Sequence, residues 1–467
     1  MSPVKSGAMK RFPFETGDLR DRWMSCVRLG DPAGCKPSRT LAWLVAGLVA
    51  LAAGPVRTSE PAELVVGTSG DYAPFSVAVA GPGFEPSGFG PELVAAFAAE
   101  RGLAVRFVAF RWPDLTSDLR EGRFDLAAGG ITVRPERGLV GRFTVPVATS
   151  GAVVLVPAAA SAGRIDDLDR PDATIGVNRG GHLERVTRAH LRRARIEAIP
   201  DNAAVLPALQ GGRGDAVVTD TLEAPHWRAR EPGLRVLGPF TRDRKAFLVA
   251  ADRDELAADL DAWLVEREAD GTLARLRARH LGDAHARTAS ADPLGALLAA
   301  IDERLALMPL VAEAKRASGG PVDVPEREQR VLDAAVKSVR GATARTAGAE
   351  ADATRADPAD PARERAVRSL FRAQIEAAKA IQRRALERTP LPGPGATPPH
   401  DLDTEIRPAL IRIGDRIARL VVALPADLDP VDTRSAAQRE LAGRDLDDAH
   451  LTAIADAIVA VSRTSAQ

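Results

Sequence analysis

Cysteine is nearly absent from this chain: its 467 residues hold two, Cys26 and Cys35. Both precede an apolar run at 41–53. If that run is removed with everything before it, no thiol stays for a disulfide, thiol catalysis or a cysteine metal site. A charge of either sign is also lacking, since Lys+Arg and Asp+Glu both number 63. That excludes a general nucleic-acid or membrane-surface role, each of which wants a basic excess, while local cationic pockets stay open. Aromatics make up 4% with a single tyrosine, Tyr72, so Leu, Val and Ala must build most of the core. No residue cluster has metal-ligand spacing and the Gly pairs lack a phosphate-loop pattern. Neither metal nor cofactor is expected.

The run Leu41–Ala53 is too short for a comfortable membrane span. Lys36 and Arg39 precede it and Ala50-Leu51-Ala52 offers small residues for cleavage, so residues 1–58 read as a secretory signal region. Export to the periplasm or medium is expected, with no stable membrane association after cleavage; retention as an anchor is the alternative. The polar stretch before the run is long, and Met24 is an alternative start.

The length suggests two or three domains. Residues 62–284 alternate strand and helix patterns. Strands are expected at 64–68, 103–110, 125–127, 151–156, 173–177, 215–219 and 247–250, and helices at 91–100, 115–120 and 182–195. Such alternation predicts α/β layers around a largely parallel sheet. Residues 285–294 read as a linker, and 295–463 as an all-helical region. Within it, 341–362 and 389–399 read as loops, the latter too rich in Pro and Gly to continue a helix.

In the helical region, Arg304 and Lys315 stand eleven positions apart, about three turns at ~3.6 residues per turn. On one helix they share a face with Met308 and Val311, although charges normally occupy the face opposite the apolar stripe. Either both side chains snorkel to water or an anionic ligand sits between helices. Pro309 predicts a kink between them. Arg327-Glu328 opens a further amphipathic run, and Gln374, Ala378 and Gln382 recur at four-residue spacing on one face.

This region resembles the exported, all-helical chorismate mutases. The resemblance is carried by Ile301-Asp-Glu-Arg-Leu305, Val311-Ala-Glu-Ala-Lys315, Arg327-Glu328, Gln374-Ile375, Lys379-Ala-Ile-Gln382 and Ile406-Arg407-Pro408. It implies a pericyclic rearrangement of chorismate to prephenate, which needs neither proton transfer nor a covalent intermediate. By resemblance, Arg304 and Arg407 clamp carboxylates with Arg327 nearby, Lys315 and Gln382 address the ether oxygen, and Glu328 accepts from the ring hydroxyl. Ala378 departs from the family, which often has a polar residue there. Asp323 departs too, standing four residues before Arg327 rather than three.

Residues 62–284 resemble the two-lobed periplasmic solute-binding proteins for polar amino acids, through Gly70-Asp-Tyr-Ala-Pro-Phe75, Gly130-Ile-Thr132, Pro135-Glu-Arg137 and Asp215…Asp220. In such a binder Arg137 holds an α-carboxylate and Asp220 an amino or hydroxyl group, in a cleft between lobes whose second runs from about Gly151 to Leu237. The same scaffold hosts the cyclohexadienyl dehydratases, to which the match is closer through Thr68-Ser-Gly-Asp-Tyr-Ala-Pro-Phe75, Trp112-Pro-Asp-Leu115, Asn178-Arg-Gly-Gly181, Pro200-Asp-Asn202, Thr219-Asp-Thr-Leu-Glu-Ala224 and Lys245-Ala-Phe247. They act on prephenate or arogenate.

Glu223 carries the distinction. Expelling a ring hydroxyl needs an acid, and a buried carboxyl beside a second one, here Asp220, stays protonated at neutral pH. Without the resemblance, Glu223 reads as a solvated helix cap. The other expected cleft residues are Tyr72, Trp112, Thr132, Arg137, Asn178 and Lys245. Lys245 can pair with a carboxylate or with Glu223 itself, and the latter would oppose the acid role. His182 is expected to be structural.

The sequence thus predicts a bifunctional exported enzyme of phenylalanine biosynthesis, with chorismate, prephenate and arogenate as small-molecule partners. A transporter's amino-acid-binding protein fused to a mutase or an inert bundle is the alternative. A homo-oligomer is left open.

Overall fold

In a computed structural model, residues 62–79, 81, 83–286, 292–346, 360–388 and 399–464 are described. The expected signal region and most of the 389–399 stretch lie outside them.

Two five-stranded sheets divide the α/β part. The first runs Ala104–Ala109, Glu63–Thr68, Leu126–Ala127, Leu248–Ala250, Gly141–Phe143. The second runs Arg195–Ile199, Thr174–Asn178, Ala216–Asp220, Ala152–Pro157, Leu234–Leu237. In each, the first three strands are parallel, and the last two join antiparallel. The sheets are therefore less parallel than expected: strand 247–250 returns from the second lobe and must enter the first sheet against its neighbours. Ala152–Pro157 is buried along nearly its whole length, as expected of an apolar β-branched run covered on both faces. The helix expected at 182–195 ends at His190, because Arg195 already opens a strand.

The lobes are joined by two crossings that pair as an antiparallel ribbon, Ala148–Ser150 with Asp243–Lys245. Lys245 of the ribbon lines the interlobe cleft, and the strand's alternation sends Asp243 and Lys245 to one side and Arg244 to the other.

Asp292 caps the helical part, its carboxylate accepting from Gly295 N at 3.0 Å, with Pro293 in the first turn. Helices Pro293–Ala306, Met308–Ser318, Pro325–Thr346, Pro361–Arg388, Arg407–Val422, Pro430–Glu440 and Asp448–Arg463 follow. Two expectations are corrected here. Arg304 and Lys315 stand on successive helices, not one: Pro309 has no N–H to continue the ladder, so the chain breaks at Leu307 and Pro309 sits in the first turn of the next helix. The loop expected from Gly341 does not begin there, as the helix runs on to Thr346; one glycine costs only about 1 kcal/mol against a long amphipathic run, and residues 347–359 lie outside the described ones.

The two parts share a core. One buried apolar cluster joins Leu64, Phe97, Trp263 and Leu264 of the first lobe to Leu297, Ile301, Ile417 and Ile458 of the bundle. Among the described residues no helix is long and apolar enough to cross a membrane.

Candidate active sites

The helical bundle encloses a cavity of about 350 Å³. Arg304, Met308, Val311 and Lys315 line it from the first two helices, Arg327 and Glu328 from the third, Ala378, Lys379 and Gln382 from the fourth, and Arg407 from the fifth. All six residues expected for the mutase, together with Gln382's neighbour Ala378, are thus brought to one space even though the shared helix is broken. Gln374 is buried but stands outside this lining.

The cavity is cationic and underpaired. Arg304 is 9% exposed; its Nη1 reaches only the Leu410 carbonyl at 3.4 Å, and its buried Nε has no partner. Burial, then the neighbouring Arg327, pushes Arg304 down to about 10. Burial and the Arg407 charge lower Lys315, whose Nζ donates to Val322 O at 3.1 Å. Arg327 is lowered by burial and by Arg407. Gln382 donates to Ala378 O at 3.2 Å, and its Oε1 is buried without a partner. Such groups fit an anion that arrives from outside. Glu328 is held by Lys379 at 3.3 Å. Lys379 also meets Glu376 at 2.8 Å, and burial notwithstanding these carboxylates keep it raised. Asp323 is not among the lining residues; it pairs with Arg383 at 2.8 Å and with Lys379 at 3.4 Å.

The interlobe cleft is nearly shut, with a cavity of about 40 Å³. All eight residues expected for it line it: Tyr72, Trp112, Thr132, Arg137, Asn178, Asp220, Glu223 and Lys245. Glu223 follows the end of strand Ala216–Asp220 and precedes helix Ala224–Arg230, so the turn delivers it to the cleft. It is 2% exposed. Asn202 Nδ2 donates to its Oε1 at 2.8 Å and Thr219 Oγ1 to its Oε2 at 2.5 Å. Burial raises Glu223 and Asp220 adds to it; the Thr219 and Asn202 hydrogen bonds pull the other way and lose, leaving it pushed up to about 8.

Lys245 resolves in favour of Asp220, at 2.9 Å, and also donates to Thr132 Oγ1 at 3.1 Å. It does not pair with Glu223, so the contact that would have opposed an acid is missing. Tyr72 donates its hydroxyl to Asp220, and burial with that carboxylate holds its pKa well above the ordinary tyrosine value. Lys245 sits over the Tyr72 ring, 5.0 Å from its centroid. Arg137 donates to Thr132 O at 3.1 Å and lies 5.9 Å from the Trp112 ring centroid. Burial and the nearby Arg134 push it down to about 9. Asn178 Oδ1 is buried without a partner.

Sequence reasoning gave no role to Asn202 or Thr219, although both fell in quoted motifs; their spacing of twenty-one and four from Glu223 carries no signal until the strand ends meet. It also set aside His182. That ring lines the cleft, meets Asp243 at 2.8 Å through Nε2, and has a buried Nδ1 without a partner.

Residues 64–283 match the model of the bacterial extracellular solute-binding proteins, family 3, and residues 295–383 that of chorismate mutase type II. A cyclohexadienyl dehydratase of Pseudomonas aeruginosa is 32% identical over 229 residues, covering 48% of this chain and 84% of that protein. An L-cystine-binding protein, TcyJ of Escherichia coli, is 26% identical over 231 residues, covering 48% of this chain and 85% of that protein. Among solved structures, an ancestral amino acid-binding protein described as a precursor of cyclohexadienyl dehydratase has 32% identity and a TM-score of 0.43, over 47% of this chain and 95% of its own. The chain belongs to the family 3 extracellular solute-binding proteins, in the group that includes cyclohexadienyl dehydratase, and carries a type II chorismate mutase region behind that part.

Proposed function

We propose that this chain is an exported bifunctional enzyme of phenylalanine biosynthesis. Its helical part, from the linker at 285–294 to about residue 463, converts chorismate to prephenate. Its α/β part, residues 62–284, converts prephenate to phenylpyruvate, or arogenate to phenylalanine. Both substrates are small anions, and the chain's export rests on the extracellular family and on the signal pattern at 41–53.

The observation that carries the reading is Glu223: buried, with an elevated pKa of about 8, and not neutralised by Lys245. In the proposed elimination the ring carboxylate leaves as carbon dioxide. Its electron pair moves through the diene, and the hydroxyl at the far ring carbon leaves as water, taking the Glu223 proton. Unassisted hydroxide is a poor leaving group, and a carboxyl kept protonated there supplies the proton it needs. In this reading Arg137, Lys245 and Thr132 meet the carboxylates. Trp112 and Tyr72 pack around the ring. Asn202 and Thr219 orient the acid.

In the mutase cavity one ether C–O bond breaks as a C–C bond forms, with no proton moving. Catalysis there is conformer selection plus charge stabilisation. Arg304, Arg327 and Arg407 are the proposed carboxylate clamps, Lys315 and Gln382 the donors to the ether oxygen, and Glu328 the acceptor for the ring hydroxyl.

The test is to add the purified chain to prephenate, and separately to arogenate, at neutral pH, and to assay phenylpyruvate and phenylalanine. Phenylpyruvate or phenylalanine formation that Glu223→Gln removes is the expected result. Tight binding of an amino acid with neither product formed would instead support the transporter-type binder.

A further inference from the structure

The hinge ribbon faces two ways. On strand Asp243–Lys245, Lys245 meets Asp220 and Thr132 in the cleft, and Asp243 meets His182 of the second lobe. Arg244 between them points to the bundle, where it bonds Asp302 and donates to Glu440 Oε2 at 2.7 Å and Glu440 O at 2.8 Å. Arg242, just before the strand, reaches Glu440 Oε1 at 2.6 Å. Asp302 is held from its own side by Arg444. Asp302 and Glu440 are buried, and this cation pairing is what keeps Asp302 ionised: burial alone would raise it, yet Arg444 and Arg244 hold it below the usual carboxylate range.

The second cleft cation is treated alike. Arg137 stands on the short helix Pro135–Val140, whose last carbonyls, Gly138 O and Leu139 O, accept from Arg412 Nη2 at 3.0 and 3.2 Å. One turn further along the same bundle helix, buried Arg416 donates to Phe143 O and pairs with Glu303. Both cleft cations thus sit on elements whose backs are fastened by bundle side chains. Arg244 is the strand neighbour of Lys245 and points to the opposite face, while Gly138 and Leu139 follow Arg137 by one and two positions, so each fastening lies directly beside the cation it serves.

We propose that the mutase part supplies positioning residues to the dehydratase cleft: Asp302 and Glu440 set Lys245 through Arg244, and Arg412 sets Arg137 through the Pro135–Val140 helix. This rests on the dehydratase reading of the cleft. The bundle is then part of the apparatus that binds prephenate and not only the source of it. The fastening residues lie outside the mutase cavity lining, so the two effects separate experimentally.

The experiment uses the full-length chain with Asp302→Asn, Asp302→Glu and Arg412→Gln. Steady-state kinetics are measured with prephenate and with chorismate, and Tm serves as the fold control. The KM for prephenate should rise about tenfold or more in Asp302→Asn and Arg412→Gln, with a smaller change in kcat, since a displacement of about 1 Å far from the chemistry can cost up to about a hundredfold. Mutase kcat/KM should stay within about twofold, and Asp302→Glu should recover most of the prephenate KM. Arg412→Gln guards against misfolding, since it removes a half-buried donor and leaves no buried carboxylate unpaired. Folded variants with wild-type prephenate KM would overturn the proposal. So would parallel losses of both activities that track Tm. Prephenate affinity is also read by calorimetry in a Lys315→Ala background. If the wild-type chain turns over no prephenate, the dehydratase reading fails, and unchanged affinity in Arg412→Gln would then refute the positioning claim separately.

Discussion

The cleft and the bundle cavity handle buried charge in opposite ways. In the cleft the groups around the proposed acid have partners, Lys245 and Tyr72 with Asp220 and Glu223 with Asn202 and Thr219, although Asn178 Oδ1 and His182 Nδ1 are buried without one. In the bundle cavity Arg304 Nε and Gln382 Oε1 have none, and Arg304, Lys315 and Arg327 are all lowered by burial and by neighbouring arginines. The difference follows from the two chemistries. A proton donor works only if its pKa is set before substrate arrives, so its surroundings must be complete. A pericyclic reaction moves no proton, so its site can wait with unsatisfied donors that the substrate's own anions complete. The volumes, about 40 and about 350 Å³, fit the same contrast between a networked cleft and a waiting one.

Five experiments break or sharpen this contrast. The largest effect is expected from Glu223→Gln, which keeps the shape and removes the proton. Prephenate dehydration should fall roughly 10²–10⁴-fold with mutase activity unchanged, in separate assays of the two products. Next is Lys315→Ala, which should lower mutase kcat about 10²–10³-fold, the scale for loss of one transition-state donor, and spare dehydration. If either substitution removed both activities from folded protein, the division between the sites would be wrong.

The pH profiles should differ as well. Glu223 must keep its proton, so dehydration should fall as pH rises through about 8, while mutase activity shows no loss there that tracks Glu223. The same group makes a linked stability claim. Its folded pKa is raised above the ordinary glutamate value of 4.5, so between that value and about 8 the native state holds a proton the unfolded chain has lost. Stability from this group is therefore full below that window and declines as pH rises across it. Denaturant titrations should show a shallower decline in Glu223→Gln. The smallest effect is expected from Thr219→Val. It removes a hydrogen bond that favours the ionised form, so the alkaline limb should move upward while kcat on the plateau changes little.

Much of this was legible in the chain because both sites are built from short motifs. Trp112, Arg137 and Glu223 each sit in a local pattern, and the cleft gathers them. Arg304 and Lys315 were legible as misplaced charges, and their convergence survived the helix break at Leu307 because Pro309 opens the second helix in its first turn. What was not legible depends on contacts between distant elements. Asn202 and Thr219 serve Glu223 only once their strand ends meet. The choice of Lys245 between Asp220 and Glu223 is a matter of ångströms. The buried Asp302–Arg244–Glu440 network joins residues up to 196 positions apart, and no periodicity within either segment announces it.

The central claim is that one chain carries both reactions in order, with a protonated carboxyl deciding the second. The most direct measurement is to give the purified full-length chain chorismate at neutral pH and follow prephenate and phenylpyruvate separately with time. The account predicts prephenate first and phenylpyruvate after it, with Glu223→Gln stopping the course at prephenate. Prephenate that accumulates unchanged with the wild-type chain, together with no phenylalanine from added arogenate, would contradict it.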